Sequence, residues 1–322
     1  MKNPTPSSHR FLTLKIFIAT VFLLAPNSRV NAQTLVTDTL AVRIILDANG
    51  LSTVGVYSIA KISSTNRIYS LDFTGLNLVR LMPEIGSLTA LKSLVLRNNI
   101  LDSLPSEIWN LTSLVTLDIA GNRIQNLTGK ISQLKNLLYL GLSRNGLSTL
   151  PTEIFGLEQL EVLTISGNRI STLSDTISNL LYLKYLDLAD NQLKNIPASL
   201  ALMQTLDSID LSGNMISDLP DLIVNMNPVT KVYLGYNQLF GLSTELNKWA
   251  VSKDPTYAAT QSSSINPRRL THAQLSLIRQ NKIFIRRGKL IMDNSTEGNS
   301  NITHEIIIHD VQGRLSAQIL KR

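Results

Sequence analysis

Cysteine is absent from this 322-residue chain, which excludes disulfide bonds and attachment through a lipid-modified cysteine. Histidine is scarce: of the four, none lies between residues 10 and 271. His304 and His309 are five residues apart in a predicted strand, so their side chains point to opposite sides and do not form a metal pair. HExxH, GxSxG, P-loop and GxGxxG motifs are also lacking. We therefore expect no enzyme activity, no cofactor and no metal.

Long apolar segments are missing after residue 32, where no stretch is long enough to cross a membrane. Residues 1–32 are typical of a secretory signal peptide, because basic residues precede the apolar stretch 16–25 and Ala32 fits a small-residue cleavage site. The alternative is an uncleaved membrane anchor. We predict a secreted or cell-surface protein whose mature chain begins at Gln33 and has no transmembrane segment.

A unit of 23 residues repeats eight times without insertion over residues 68–251. Its skeleton is LxxLxLxxNxLxxLPxxIxxLxx. The units, numbered one to eight, begin at Ile68, Leu91, Leu114, Leu137, Leu160, Leu183, Leu206 and Val229. A strict period in this range predicts a solenoid, in which each turn buries its apolar side chains only against its neighbours.

Positions four and six of every unit are apolar, as at Leu94 and Leu96. A spacing of two is strand spacing, so both side chains face the core. Positions eleven, fourteen, eighteen and twenty-one are predicted to turn inward again. Position nine is asparagine in seven units, and the first unit has Leu76 there. We interpret these asparagines as a structural ladder, since an amide can satisfy both N–H and C=O groups of a buried turn.

The repeat resembles the leucine-rich repeat family in its short 23-residue class, and the LPxEI segments at 104–108 and 150–154 strengthen the match. The resemblance points to a secreted bacterial protein. It implies an α/β solenoid, a horseshoe with a concave parallel β-sheet and short helical segments on its convex side. It also implies a binding or scaffolding role.

The segments around the repeats have different compositions. Residues 33–67 are predicted to cap the solenoid with a helix over 37–50, begun by Thr37 or Asp38, that packs through Leu40, Ile44 and either Leu46 or Ala48. Residues 252–265 are expected to form the C-terminal cap and linker. Residues 266–322 are predicted to form a small all-β module of three or four strands. The stretch 309–315 is similar to part of the sorting domains of type IX secretion.

Charge is unevenly distributed. The tail from residue 266 has ten Lys and Arg against four Asp and Glu, whereas residues 33–265 have 16 against 19. The net charge of +7 therefore belongs to the two ends, and the repeats lack the basic stripe of a nucleic-acid-binding protein. We expect no nucleic-acid partner.

The concave face is the predicted binding surface, because strand side chains alternate and positions two, three, five, seven and eight point outward or border it. Tyrosines and charged residues gather there in the C-terminal half of the repeats. The candidate partner-binding residues are Tyr139, Arg144, Tyr185, Asp187, Asp210, Lys231, Tyr233 and Tyr236. Tyrosine offers a large, rigid contact area, which favours interfaces. The alternative is that these tyrosines merely suit strands.

Three functions are compatible with this surface. A mixed aromatic and charged patch favours a non-enzymatic protein that binds a protein or peptide. A carbohydrate- or envelope-binding structural component is the alternative, in which tyrosines stack on sugar rings and a polysaccharide is the partner. The third function is that of a hydrolase. The aspartates at position five could supply acid–base chemistry in principle, but they lie on an open, solvent-exposed face; they are Asp72, Asp118, Asp187 and Asp210.

Overall fold

A computed structural model describes residues 29–261, with side chains from residue 34, and the backbone of residues 283–286, 289–292, 304–309 and 316–321. The predicted signal peptide lies almost entirely outside these residues. No helix in the described part of the chain is both long and apolar enough to span a membrane.

Eight parallel strands, one from each unit, form the concave sheet in chain order, and a short first strand pairs antiparallel to them. The nine strands are β1 (Ala60–Ile62), β2 (Ile68–Asp72), β3 (Ser93–Val95), β4 (Thr116–Asp118), β5 (Tyr139–Gly141), β6 (Val162–Thr164), β7 (Tyr185–Asp187), β8 (Ser208–Asp210) and β9 (Lys231–Tyr233). Equivalent positions pair in register, so that Leu94 of unit two lies beside Leu117 of unit three. The predicted solenoid is confirmed.

The convex side carries one short 3₁₀ helix in each of units one to seven, always over positions sixteen to twenty. These helices are Pro83–Ser87, Ser106–Asn110, Gly129–Gln133, Thr152–Gly156, Asp175–Asn179, Ala198–Leu202 and Asp221–Asn225. The third residue of each is a buried Ile or Leu, such as Ile108. Each of units one to seven thus contributes one strand to the concave sheet and returns through a convex helix that is anchored by this side chain.

The core runs through the solenoid as one continuous cluster of side chains. The predicted positions four, six, eleven, eighteen and twenty-one are buried, as in Leu94, Leu96, Leu101, Ile108 and Leu111 of unit two. Burying one such side chain contributes about 1.5–3 kcal/mol. Position fourteen is only partly buried in the middle units, so the prediction is weaker there.

The asparagine ladder is confirmed by its hydrogen bonds. In unit three, Asn122 Oδ1 accepts from the Leu101 N–H at 3.0 Å. Asn122 Nδ2 donates to the carbonyl oxygens of Leu96 and Ile119, both at 2.9 Å. Each ladder amide therefore joins its own turn to the preceding one and satisfies backbone groups that water does not reach.

The last unit departs from the prediction at its first position. Val229 is 74% exposed, whereas the first residue of every other unit is buried. Thr230 takes the inward place, and its N–H donates to the Asn227 carbonyl at 3.0 Å. The cause lies in the preceding loop, because Pro228 has no N–H and restricts Asn227 to extended backbone. The change is confined to this entry segment, because β9 begins at position three and pairs in register with β8 as in the other units.

The N-terminal cap is a helix, α1 (Arg29–Ala48), followed by the short α2 (Val56–Ile59). Of the predicted packing residues, Leu46 is buried, while Leu40 and Ile44 are only partly covered. Ala41, Val42 and Ile45 are buried in addition, so most of the packing face lies one residue away from the predicted one.

Asp38 lies inside α1 and does not begin it. The Asp38 carboxylate accepts from the Arg67 guanidinium and from the Ile68 N–H, each at 2.9 Å. The cap is thereby joined to the first strand by a charge-assisted contact.

The C-terminal cap consists of α3 (Thr244–Lys253) and α4 (Tyr257–Thr260). Trp249 and Tyr257 are buried, so both rings pack in the cap and neither presents a face for sugar stacking. Asp254 accepts from the Leu234 N–H of the last unit at 3.0 Å. The cap therefore covers core side chains that the end of the solenoid would otherwise expose.

A second sheet lies beyond residue 282. It contains β10 (Ile283–Arg286), β11 (Lys289–Met292), β12 (His304–His309) and β13 (Ser316–Lys321), all antiparallel and in chain order. This arrangement agrees with the expectation of three or four short strands. The similarity of the tail to a sorting domain stays a prediction.

Candidate binding surface

Two rows of side chains run across the concave sheet, one from position three and one from position five of each strand. The first row includes Tyr139, Tyr185 and Lys231, and the second includes Asp187, Asp210 and Tyr233. Asp187 pairs in register with Asp210, and Asp210 with Tyr233. Neighbouring strands lie about 4.8 Å apart, so these side chains form one continuous patch. Tyr185 is the most open of the three tyrosines in the rows, with 38% of its surface exposed.

At the N-terminal end of the patch, a carboxylate is neutralised within the fold. Asp118 Oδ2 lies 2.9 Å from Arg97 Nη1, and this hydrogen-bonded pair raises the pKa of Arg97. Tyr139 lies beside them. Burial raises the pKa of its phenol, and the Asp118 charge raises it further. This side of the patch therefore has its opposite charges already matched.

Asp187 and Asp210 are in a different situation. Asp187 accepts hydrogen bonds from the Ala189 N–H at 3.1 Å and from the Ser166 side chain, and Asp210 accepts one from the Ser212 N–H at 2.9 Å. Among residues 34–261, no Lys or Arg lies within 4.0 Å of either carboxylate. The two negative charges thus face solvent on neighbouring strands without a cationic partner in that range.

The pKa of Asp187 reflects this environment. Burial raises the pKa of its carboxyl, while hydrogen bonds from Ser166 and the Ala189 N–H lower it. The nearby negative charges of Asp210 and Asp190 raise it again. Tyr185, in the next row, also has a raised pKa, first through burial and then through the charges of Asp187 and Asp210. A cation placed between the carboxylates would relieve this repulsion.

Position eight of every unit has a left-handed backbone. Glycine and larger residues alternate there along the solenoid, and the φ values lie between 53° and 70° at Gly75, Asn98, Gly121, Arg144, Gly167, Asp190, Gly213 and Tyr236. The alternation has a steric reason, because a Cβ at Gly167 would lie 3.1 Å from Cγ of Arg144. The Arg144 side chain therefore lies over the glycine of the next unit. For a non-glycine residue this backbone costs about 1–2 kcal/mol.

Tyr236 does not fit its predicted role as an exposed contact residue. It is only 8% exposed, whereas Arg144, at the same position four units earlier, is exposed. Unit eight is the last turn, and α3 of the cap packs against β9. We therefore exclude Tyr236 from the proposed contact residues and keep Tyr185 and Tyr233.

An open depression of about 1060 Å³ lies at the border of the sheet in units four to seven. It brings together three of the predicted residues, Arg144, Asp187 and Asp210, and adds Arg169 and Gln192. Sequence reasoning missed the last two, which occupy position ten just after the ladder asparagine. The sequence contains a signal that could have identified them. Position ten varies between polar, charged and apolar residues, whereas the core positions are apolar in nearly every unit.

The carboxylates of this surface do not belong to a cluster of metal ligands among the described residues. Across residues 34–261, no group of three or more His, Cys, Asp and Glu side chains could hold a metal ion. Residues 34–261 contain no histidine, so none of the side chains described there supplies an imidazole base to Asp187 or Asp210.

Comparison with known proteins identifies the fold. The leucine-rich repeat family model matches residues 113–170, 159–216 and 182–239. A search of curated proteins gave no match. Among solved structures, a leucine-rich repeat protein of Leptospira interrogans is 29% identical, with a TM-score of 0.54, over 59% of this chain and 48% of that one.

Two further structures have the same fold. PEPR1–AtPEP1 is 25% identical, with a TM-score of 0.54, over 62% of this chain and 31% of that one. The leucine-rich repeat ectodomain of the Arabidopsis receptor kinase HAESA, solved with a peptide hormone ligand, is 23% identical, with a TM-score of 0.52, over 64% and 42%. This chain thus spans less than half the length of each of these proteins. Its described repeats form a leucine-rich repeat solenoid.

Proposed function

We propose that this chain is a secreted, non-enzymatic recognition protein that binds a protein or peptide segment on its concave face. The observation that carries this proposal is the patch in units four to eight, where partly exposed tyrosines lie beside charged side chains on one sheet. Binding energy in interfaces concentrates in a few aromatic or arginine side chains held in place by a well-packed scaffold. The backbone beneath Tyr185 and Tyr233 is fixed by the parallel pairing of β7, β8 and β9.

The HAESA ectodomain structure contains a peptide hormone ligand. Its sequence identity to this chain is low, so the similarity supports a shared fold and not a shared ligand. The HAESA complex shows only that a solenoid of this fold can accommodate a peptide. Support for peptide binding comes from this chain's own surface. Tyr185 and Tyr233 lie on the open face, while their strand neighbours Leu186 and Val232 point into the core and hold the strands in place.

The test is a selection of peptides from a random library on the full chain, followed by calorimetric titration of the best binders. Replacing Tyr185 and Tyr233 with alanine should weaken binding by at least about 2 kcal/mol, roughly 30-fold. The fold should survive, because neither side chain faces the core. Glu158→Ala, at an exposed residue away from the strands, is the control. Equal affinity of the double variant and the control would exclude this patch as the site.

A carbohydrate ligand is the second candidate, and the 38% exposed Tyr185 ring is the observation that favours it. A glycan array separates the two possibilities. Sugar stacking requires the tyrosine rings and should persist when Asp187 and Asp210 are changed to asparagine, whereas a charged peptide should be lost.

Export is proposed to depend on residues 1–32, with cleavage near Ala32. A chain that begins at Gln33 should stay in the cytoplasm, while the full chain should be exported and shortened. N-terminal sequencing of exported protein decides this, since material that still begins at Met1 would contradict a cleaved signal. The tail from residue 266 is proposed as a sorting or anchoring module, and its deletion should alter location without altering the melting curve of the solenoid.

A further inference from the structure

We propose that the depression in units four to seven recognises a dipolar peptide segment. A basic side chain of the ligand lies between Asp187 and Asp210, and an acidic side chain four residues away lies against Arg144 and Arg169. This inference rests on the proposed peptide-binding function and specifies the chemistry of the ligand.

The first argument is that four charged residues of the depression, Arg144, Arg169, Asp187 and Asp210, form no ion pair with one another. Elsewhere on the concave side, Arg97 pairs with Asp118 and Lys184 pairs with Glu161, each at 2.9 Å. Within residues 34–261, neither Arg144 nor Arg169 forms an ion pair, and the same is true of Asp187 and Asp210. Opposite charges that line one depression and do not contact each other leave room for complementary groups of a ligand.

The acidic side of the depression suits a cation. The hydrogen bonds given to Asp187 come from Ser166 and a backbone N–H, and those given to Asp210 come from Ser212. These donors are neutral, so they orient the carboxylates without cancelling their charge. Tyr185 and Tyr233 flank the pair in the same sheet, and an aromatic face adds attraction for a Lys or Arg side chain.

The basic side suits a carboxylate. Arg144 occupies a left-handed position that favours glycine, with φ at 53°, and four of the eight units do have glycine there. The Arg144 side chain lies over Gly167, which leaves room for it because it has no Cβ. The Arg144 side chain is exposed, so its guanidinium is accessible to a ligand at the depression. The guanidinium groups of Arg144 and Arg169 can each hold a carboxylate through two parallel hydrogen bonds.

The spacing fits an extended ligand that runs along the solenoid. Arg144, Arg169, Asp187 and Asp210 come from four successive units, which lie about 4.8 Å apart at the sheet. The arginine pair and the aspartate pair are centred two units apart, about 9.6 Å along the solenoid, and the arginines lie three to five positions further along their units, which increases the separation. In an extended peptide, side chains at i and i+4 point to the same side about 13.6 Å apart. A cation and an anion four residues apart therefore reach the two sides of the depression together.

The experiment uses a random library of peptides of about 12 residues, selected on the full chain. Enriched peptides should carry Lys or Arg and Asp or Glu four residues apart. Asp187→Asn together with Asp210→Asn should weaken a selected peptide at least about tenfold. Arg144→Gly keeps the backbone favourable and should remove the preference for an acidic residue. Asp187→Lys with Asp210→Lys should reverse the preference from basic to acidic at that position, which a merely misfolded variant would not do. Glu158→Gln is the matched control.

Three outcomes would overturn the inference. If no peptide is enriched, peptide binding itself fails, and the proposed function fails with it. If enriched peptides depend on Tyr185 but carry no charge pattern, the proposed function stands and the dipolar ligand is wrong. The third outcome is that sedimentation reveals self-association of the chain. If the double variant Asp187→Asn, Asp210→Asn abolishes this self-association, the depression binds a second copy of this chain and not a separate peptide.

Discussion

Replacing Asn168 with alanine tests the ladder where its energetic contribution can be worked out from the hydrogen bonds. Asn168 Nδ2 donates to the carbonyl oxygens of Leu142 and Ile165 at 3.0 and 2.8 Å. Each of these carbonyls also accepts from a neighbouring ladder amide, that of Asn145 or Asn191. The alanine variant therefore leaves both carbonyls with a partner.

The N–H groups have no such second partner. Asn168 Oδ1 accepts from the N–H of Leu147 at 3.1 Å and from that of Asn145 at 3.2 Å. A buried N–H that loses its acceptor costs about 1–3 kcal/mol, and Asn145 is partly reachable by water. We expect Asn168→Ala to lower the free energy of unfolding by about 2–4 kcal/mol.

Urea unfolding of the full chain, followed by circular dichroism, measures this difference. The exposed Asn126→Ala, in the loop of unit three, is the control and should change stability by less than about 0.5 kcal/mol. Asn168→Asp distinguishes the acceptor role of the amide from its donor role. The aspartate keeps an acceptor for the two N–H groups, but it replaces the donating Nδ2 with an oxygen that faces the carbonyl oxygens. An Asn168→Ala variant as stable as the control would refute the ladder as a source of stability.

Two further predictions concern the depression. Arg144→Gly should raise the stability of the fold by about 1 kcal/mol, because glycine accepts the left-handed backbone without strain; a lower melting temperature would contradict this. Asp187→Asn should stabilise the fold at neutral pH. Because the pKa of Asp187 is raised in the folded state, folding favours its neutral form. The stability that this form contributes is fully present below the unfolded-state pKa and is lost as pH rises through the folded-state pKa. The difference between Asp187→Asn and the unaltered chain should therefore vanish on acidification, and an unchanged difference in melting curves down to pH 3 would refute it.

The sequence predicts most of the fold because the repeat has a fixed length. With one strand in each 23-residue unit and no insertion, equivalent residues must stack, so Leu94 lies beside Leu117. The ladder is predictable for the same reason, since an amide at position nine meets the same backbone groups in each turn. Periodicity determines register, and register determines which side chains share a face.

The sequence is less informative where the period is interrupted or where exposure depends on a neighbour. Val229 has the expected residue type for the core, but Pro228 displaces it to the surface. Tyr236 is at a position that is open in unit four and covered in unit eight, where the cap packs on β9. Such differences depend on tertiary contacts that a repeat pattern does not contain.

The depression shows how a solenoid can separate recognition from stability. Its unfavourable features are the left-handed backbone of Arg144 and the unneutralised charge of Asp187, in units four and six. The leucines and asparagines beneath them are the same as in the other units. Because each unit contacts only its neighbours, such costs stay local and the remaining turns keep their stacking energy. Binding residues at positions three, five, eight and ten can therefore vary independently of the core, and a solenoid with one set of inward positions can present many different surfaces.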